Sequence, residues 1–225
     1  SIDIEFAGIC HSDIHQVKEE WGEAIFPMVP GHEIVGTVVA IGSDVTKFKV
    51  GDVAGVGCFV DSCGTCEYCL AGNDHWCLDN SAYTYNGMER DGVTPTYGGY
   101  SKNVVVKADY ALQVPANLDR AGAAPLLCAG ITTFSPLRHW NAGPGKKVAV
   151  MGLGGLGHMA VKIAVAMGAE VTVMSHSEGK REDALAMGAK SFVVTSNKEE
   201  LKKLATTFDI IINTVSAEIE IHRYI

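Results

Sequence analysis

No stretch of this chain reaches the roughly 18 consecutive apolar residues that a membrane-spanning helix needs. The most apolar run, Val148 to Gly157, is short and rich in glycine. Basic residues are the minority: 18 Lys and Arg against 26 Asp and Glu give a net charge of −8. A cationic face for phosphate is therefore not expected, and nucleic acid is excluded as the partner. The start has no basic-then-apolar leader. Ser1-Ile2-Asp3-Ile4-Glu5 alternates, which reads as a strand and not as a signal peptide. It also lacks an initiating Met, so further residues are expected upstream. Seven cysteines cannot form a complete disulfide framework. Neither a repeat nor a low-complexity tract interrupts the chain. Its 225 residues, 47% apolar and 20% charged, suit one large domain or two ordinary ones with a packed core.

The first half carries β signals. Strands are predicted at Ile34–Ile41, at Val53–Val60 with breaks at Gly55 and Gly57, and at Val104–Val106, punctuated by Pro27, Pro30, Gly31 and Gly51. From Leu118 to Trp140 the pattern is helical, with interruptions at Pro125 and Pro136. After Lys147 the rhythm becomes βαβ. A strand at Val148–Met151 precedes a helix with apolar residues at Leu156, Met159, Ala160, Ile163, Ala164 and Met167, stopped by Gly168. Strands at Glu170–Ser175, Lys190–Thr195 and Asp209–Val215 alternate with helices at Glu178–Met187 and Asn197–Thr207. Such alternation predicts a parallel sheet covered on both faces.

Two contiguous motifs carry chemistry. Cys63, Cys66 and Cys69 are separated by two residues each, and Cys77 follows. Four thiolates without histidine make a closed tetrahedral set suited to structural zinc. The rival is an iron–sulfur cluster, but its motif continues with a Cys-Pro pair, whereas Leu78 follows Cys77. Thiols that bind metal must be reduced, which points to the cytoplasm. The second motif is Gly152-Leu153-Gly154-Gly155-Leu156-Gly157, between a predicted strand and helix. There glycines permit a tight turn and close approach of a pyrophosphate, and a helix N-terminus favours negative charge. An NAD site would place Asp or Glu at the end of the next strand. Positions 173–177 hold no carboxylate. Met174-Ser175-His176-Ser177 and then Lys180-Arg181 suit a 2′-phosphate, so NADP is expected.

Other pieces are dispersed: Cys10-His11-Ser12-Asp13-Ile14-His15, Gly31-His32-Glu33, and Cys128 within Leu126–Gly130. Spacing alone cannot show that they converge, and lone His or Cys residues more often belong to a core. Cys58, His75, His139 and His222 are expected to pack or to lie on the surface.

Taken in order, Gly8–Asp13, Pro30–Glu33, Val50–Val53, the four-cysteine lobe, Leu126–Thr132 and the glycine loop resemble the zinc-dependent medium-chain alcohol dehydrogenases, most closely the cinnamyl-alcohol-dehydrogenase-like branch. The resemblance implies an α/β protein. A GroES-like β-rich catalytic domain would span 1–117, with a structural zinc lobe at 58–80. A connector helix and a Rossmann-type NADP-binding domain would span 118–225, with the active site in the cleft between the domains. It implies that Cys10, His32 and Cys128 hold a catalytic zinc, with Glu33 the acid beside it, able to exchange as ligand. Cys63, Cys66, Cys69 and Cys77 would hold a second zinc. Asp13 would orient His32, Ser12 would take the alcohol proton, and His15 would pass it on. Thr132 would contact the nicotinamide end. Gly152, Gly154, Gly155, Leu156 and Gly157 would receive the pyrophosphate, and Ser175, Ser177 and Lys180 the 2′-phosphate. Trp21 and Tyr83 either line the substrate cleft or pack in the core. The implied activity is hydride transfer between NADP(H) and an aldehyde or primary alcohol, in a homodimer. The alternatives are a polyol or secondary-alcohol dehydrogenase, or a zinc-stabilised NADP-binding fragment without turnover. A dinucleotide domain has six strands in the order 3-2-1-4-5-6. Here the pattern stops after the fourth, so both domains are expected to be incomplete.

Overall fold

Alternating apolar residues at Ile2–Ala7 form β1, and the apolar run Ile34–Val38 forms β2 beside it. Between them α1, His11–Val17, begins directly after Cys10. β3 (Val53–Val56) and β4 (Phe59–Asp61) follow, then the short α2 (Glu67–Leu70), β5 (Ala82–Tyr83), β6 (Asn103–Val104), β7 (Ala111–Gln113) and α3 (Arg120–Ala123). β6-β1-β2-β3-β7 make one antiparallel sheet, and β4 pairs with β5. One face of the sheet buries Ile2, Ile34, Val38, Phe48, Ala54 and Val56. The other covers Val35 with Ala123, Ala124 and Leu127. β2 is thus covered on both sides, which explains why it reads as a continuous apolar run rather than an alternation.

The second group of elements is α4 (Ala129–His139), β8 (Lys147–Met151), α5 (Gly155–Ala166), β9 (Glu170–Ser175), α6 (Arg181–Ala186), β10 (Ser191–Val194), α7 (Lys198–Lys203) and β11 (Ile210–Asn213). These strands are parallel in the order β10-β9-β8-β11, the 3-2-1-4 arrangement of a dinucleotide-binding sheet. Val148, Val150, Val171 and Val173 pack with Leu137, Ala160, Val161 and Ala164. Ala149, Met151 and Met174 face Leu201, Leu204 and Phe208.

This computed structural model describes residues 1–224 and divides into two compact units, one of Ser1–Cys128 and one beginning at Ala129. The division falls later than the 117/118 boundary read from the sequence, because α3 and the 3-10 turn Ala124–Leu127 close over β2. Several elements are shorter than the sequence predicts. Of the two breaks expected within Val53–Val60, Gly55 stays inside β3, while the strand does break at Gly57: a Cβ there would stand 2.9 Å from the Leu127 carbonyl oxygen, so another segment crosses. The strand expected at Ile34–Ile41 ends at Val38, where Gly51 donates to its carbonyl at 2.8 Å. Val105, 78% exposed, lies beyond β6. The helical stretch 118–140 is two helices split by the 3-10 turn that contains Pro125. The helix expected from Glu178 opens as a 3-10 turn and becomes α-helical at Arg181. The one expected at Asn197–Thr207 is confined to α7, with the Asn197 side chain accepting from the Glu200 amide at its start. Among the described residues no helix is long and apolar enough to cross a membrane.

Candidate metal and nucleotide sites

Two groups of potential metal ligands converge among the described residues, and in each the donor atoms lie within 4.8 Å of one another. The first is the lobe. Cys63 and Cys69 sulfurs are 3.8 Å apart, and those of Cys66 and Cys69 3.5 Å. Zinc–sulfur bonds of about 2.3 Å give a tetrahedral edge of about 3.8 Å, so the spacing matches one ion. It is too long for a disulfide and leaves no room for a multi-iron cluster. Backbone amides of Thr65 and Cys66 donate to Cys63 Sγ at 3.4 and 3.3 Å. These N–H groups stabilise a thiolate and bring the Cys63 pKa down to about 6.

The second group joins four residues from three distant pieces. Cys10 precedes α1, His32 and Glu33 lead into β2, and Cys128 ends the 3-10 turn that crosses β3 at Gly57. All four are buried. A Cβ at Gly8 would collide with the Glu33 carboxylate, so glycine there makes room for the acid. Asp13 sits on the first turn of α1 and accepts from His32 Nδ1 at 3.0 Å. That leaves Nε2 to face the thiols. Burial raises the Asp13 carboxyl, but hydrogen bonds from His32 and Tyr100 outweigh it and hold it at about 2. Burial lowers His32, yet Asp13 and Cys10 more than offset this and bring it to about 10. Cys10 is lowered to about 3, first by the hydrogen bond from the Cys128 thiol; Cys128 is pushed up as the partner that keeps its proton. A buried thiolate, a second thiol and two carboxylates around one imidazole suit a dication, with nitrogen and sulfur donors for zinc.

Both residues named for the proton path lie on α1. Ser12 Oγ lies 3.4 Å from Cys10 Sγ. His15 is one helical turn on, stacked between His11 and Trp21, with Nδ1 bonded to the Glu20 carboxylate. No hydrogen bond joins Ser12 to His15 among the described residues. Trp21 and Tyr83 are 62% and 56% exposed, so neither belongs to the core. His75, His139 and His222 are exposed, as expected. Cys58 is different: its half-buried thiol hydrogen-bonds to Cys128, which lowers its pKa, so it adjoins the buried group. Tyr85, stacked on His32 at 5.7 Å, and Tyr100, donating to Asp13 at 2.8 Å, were also not singled out from the sequence. The signal for Tyr100 was the pair Gly98-Gly99 before it, which marks close backbone approach.

In the second unit the glycine loop follows β8, where the strand order reverses between β9 and β11. Gly152 has φ +85, and a Cβ on Gly157 would strike the Gly152 carbonyl. Glycine at these two positions is required by the chain itself. Gly154 and Gly155 are exposed, with nothing within 4 Å of a Cβ. That free space, at the start of the 12-residue α5, fits a bound pyrophosphate. Ser175 Oγ accepts from the Ser177 amide at 3.3 Å, and Lys180 Nζ donates to the Leu153 carbonyl at 2.9 Å. Lys180 thus reaches the loop, while Ser175 is buried at the end of β9 with Ser177 bonded to it. Arg181 is engaged elsewhere, with Glu178 and the Phe192 carbonyl. Thr132 is exposed on α4; its neighbour Thr133 is buried and bonds back to Ala129.

Comparison with known proteins agrees with this layout. The family model for the alcohol dehydrogenase GroES-like domain matches residues 1–116, and that for zinc-binding dehydrogenase matches 155–225. An NADP-dependent alcohol dehydrogenase C 1 of Mycolicibacterium smegmatis is 60% identical over 100% of this chain and 64% of its own length. A cinnamyl alcohol dehydrogenase structure from Sorghum bicolor superposes with TM-score 0.95 at 51% identity, covering 99% of this chain and 64% of that one. The structure of CAD from Helicobacter pylori complexed with NADP(H) gives TM-score 0.92 at 48% identity, over 99% and 63%. The chain therefore spans about 64% of the length of the curated relatives it matches.

Proposed function

Since the chain belongs to the alcohol dehydrogenase family of GroES-like and zinc-binding dehydrogenase domains, we propose that the whole protein transfers hydride between NADP(H) and an aldehyde or primary alcohol. The observation that carries this reading is the buried convergence of Cys10, His32, Glu33 and Cys128 from three separate segments. A lobe needs no such assembly to be stable; a reaction centre does. Cys10, His32 and Cys128 would hold one zinc and leave a position open, with Glu33 beside it, while the four lobe cysteines would hold a second. Bound zinc supplies a Lewis acid for the substrate oxygen, and bound NADP(H) supplies the hydride chemistry.

The chain's own residues do the rest. Asp13 holds the His32 ring so that Nε2 faces the thiols. Ser12 Oγ, on α1 beside Cys10, is the group that takes the alcohol proton. His15 lies on the same helix face three residues on, and its imidazole carries the proton outward while Glu20 fixes the ring. Ser175, Ser177 and Lys180 receive the 2′-phosphate of NADP. Reduced thiols throughout support a cytoplasmic setting. Assembly as a homodimer is carried over from the family likeness.

The test is aldehyde-dependent oxidation of NADPH by the zinc-loaded whole protein. Turnover with primary aldehydes supports the reading. Tight NADPH binding without turnover would leave only a zinc-stabilised nucleotide-binding role. In His15→Ala, alcohol oxidation is expected to slow mostly at lower pH, where solvent is a poor base. An unchanged pH–rate profile would remove His15 from the path.

A further inference from the structure

The Asp13 carboxylate accepts four hydrogen bonds. Oδ1 takes one from His32 Nδ1 at 3.0 Å and one from the Gly31 amide at 3.0 Å. Oδ2 takes one from the Cys10 amide at 3.2 Å and one from the Tyr100 hydroxyl at 2.8 Å. Three of these donors belong to a metal-ligand candidate or to its chain neighbour. The shortest bond comes from Tyr100, far along the sequence.

Tyr100 is held there by its backbone. Gly98 donates to the Val29 carbonyl at 2.6 Å, Gly99 to Gly31 at 2.8 Å and Tyr100 to Pro30 at 3.0 Å. The segment 98–100 thus runs bonded against the loop that carries His32. The Tyr100 residue is 42% exposed, so hydrophobic burial does not account for an aromatic at this position. Its hydroxyl is the part that reaches inward. The Gly8 carbonyl at 3.2 Å is a second acceptor within reach, but it is neutral and farther away. The single phenolic proton therefore goes to the carboxylate, as charge-assisted bonds are the stronger.

We propose that Tyr100 is a positioning residue for the buried metal centre: its hydroxyl locks the Asp13 carboxylate from the side opposite His32, and Asp13 in turn fixes the His32 ring. This rests on Cys10, His32 and Cys128 being the zinc ligands. With the hydroxyl removed, Oδ2 keeps only the longest of these four bonds, with the Tyr85 hydroxyl as the other group acting on the carboxylate. The carboxylate gains freedom to rotate, and the imidazole bonded to Oδ1 moves with it. A ligand less well oriented releases its ion faster.

The experiment follows zinc release from the loaded full chain to a chromophoric chelator, for wild type and Tyr100→Phe. Wild type is expected to release zinc in two phases, one per centre. Cys66→Ser, which deletes the lobe site, assigns them. In Tyr100→Phe the buried-centre phase should quicken by about three- to tenfold. That lies below the roughly 10–100-fold effect of removing a group bonded directly to a ligand. The lobe phase should not change. In an Asp13→Asn background the same Tyr100→Phe change should add nothing, because the effect passes through the carboxylate. Unchanged release of both zincs overturns the proposal. So does equal acceleration of both, which would mean general loosening, or an undiminished effect when Asp13 is already replaced. A wild type with no buried-centre phase would instead overturn the ligand assignment itself.

Discussion

The two clusters of potential metal ligands are built in opposite ways. The lobe takes every donor from a single loop between Cys63 and Cys77, with all four thiols half-buried and α2 and the 3-10 turn Asp74–Trp76 lying within it. The second cluster draws on positions 10, 32, 33 and 128, and each donor is buried. Closing a short loop on an ion costs little chain entropy, so a bound ion can organise the lobe by itself. The second cluster exists only once β2, β3 and the 3-10 turn before Cys128 have met. There the sheet organises the ligands, and the ion adds to an arrangement already made. One centre should therefore matter to folding and the other to chemistry.

The sharpest way to break this comparison is to remove one thiol from each. Cys128→Ser should lower aldehyde reduction by at least about a hundredfold, since a Lewis acid supplies several kcal/mol of transition-state stabilisation. Its thermal unfolding should change little. Cys66→Ser should do the reverse, with one zinc lost, a lower Tm and activity retained by the fraction that stays folded. Metal analysis, calorimetry and turnover on the two variants check this. Two variants with the same profile would end the distinction, and so would iron with sulfide in the lobe.

The same contrast explains what could be read in the sequence. The lobe was legible because its chemistry is written as spacing, and the parallel unit because strand, glycine loop and helix follow each other locally. The buried cluster was reachable only through family likeness, since nothing in the spacing of Cys10, His32 and Cys128 brings them together. Cys58 was read as packing or surface, and its contact with Cys128 depends on where the segment crossing Gly57 lies. Tyr100 was missed for the same reason, because a hydrogen bond to Asp13 across such a separation is a property of the sheet and its loops. Strand ends were over-extended where a turn, not side-chain pattern, decides the limit. Val38 at Gly51 is the case in point.

The nucleotide loop lies between these extremes, local in sequence except for Lys180, which reaches back to the Leu153 carbonyl. Lys180→Ala should weaken NADPH binding by roughly ten- to hundredfold, the value of a charge-assisted hydrogen bond. NADH, without the phosphate, should be nearly unaffected. Ser175→Asp should repel the phosphate and narrow or reverse the preference. Titration of both reduced cofactors decides the matter. Equal weakening of the two by Lys180→Ala would assign the lysine to loop structure instead.

Thiol labelling of the metal-free chain compares the clusters directly. Cys10 has the lower pKa, about 3 against about 6 for Cys63, but it is buried. Reactivity needs both a thiolate and access. Cys63 and Cys66, both lowered, should therefore react at least about tenfold faster than Cys10 and Cys128, with Cys69, pushed up to about 12, behind them. The Cys63 rate should climb through pH 6 and level off above it, as the thiolate becomes the main form. Mass mapping of partially labelled protein gives the order. Early modification of Cys10 would mean that the buried cluster does not persist without its ion.

The smallest effect concerns how Cys128 is delivered. Arg120, at the start of α3, bonds both carboxylate oxygens of Glu5 on β1 at 2.7 and 2.6 Å, and Thr37 on β2 donates to the same carboxylate. This ties to the sheet the segment that leads through the 3-10 turn to Cys128. The Thr37 hydrogen bond and then Arg120 hold the Glu5 carboxyl below its usual range. A carboxyl lowered in the folded state stabilises above its unfolded pKa of about 4.3, and that contribution fades as pH falls through the folded value. The side chains of Glu5 and Arg120 are 33% and 43% exposed, so solvent and salt screen the pair. Glu5→Gln should cost under about 1 kcal/mol at neutral pH, less at high salt, and almost nothing once the wild-type carboxyl is protonated. Because the tie serves the dispersed cluster, the variant should slightly quicken zinc release from the buried centre and leave the lobe unchanged. Denaturant titrations at neutral and acid pH, with zinc release measured alongside, check both parts. An equal effect on the two zincs would mean that the ion pair steadies the unit as a whole and has no particular bearing on the path to Cys128.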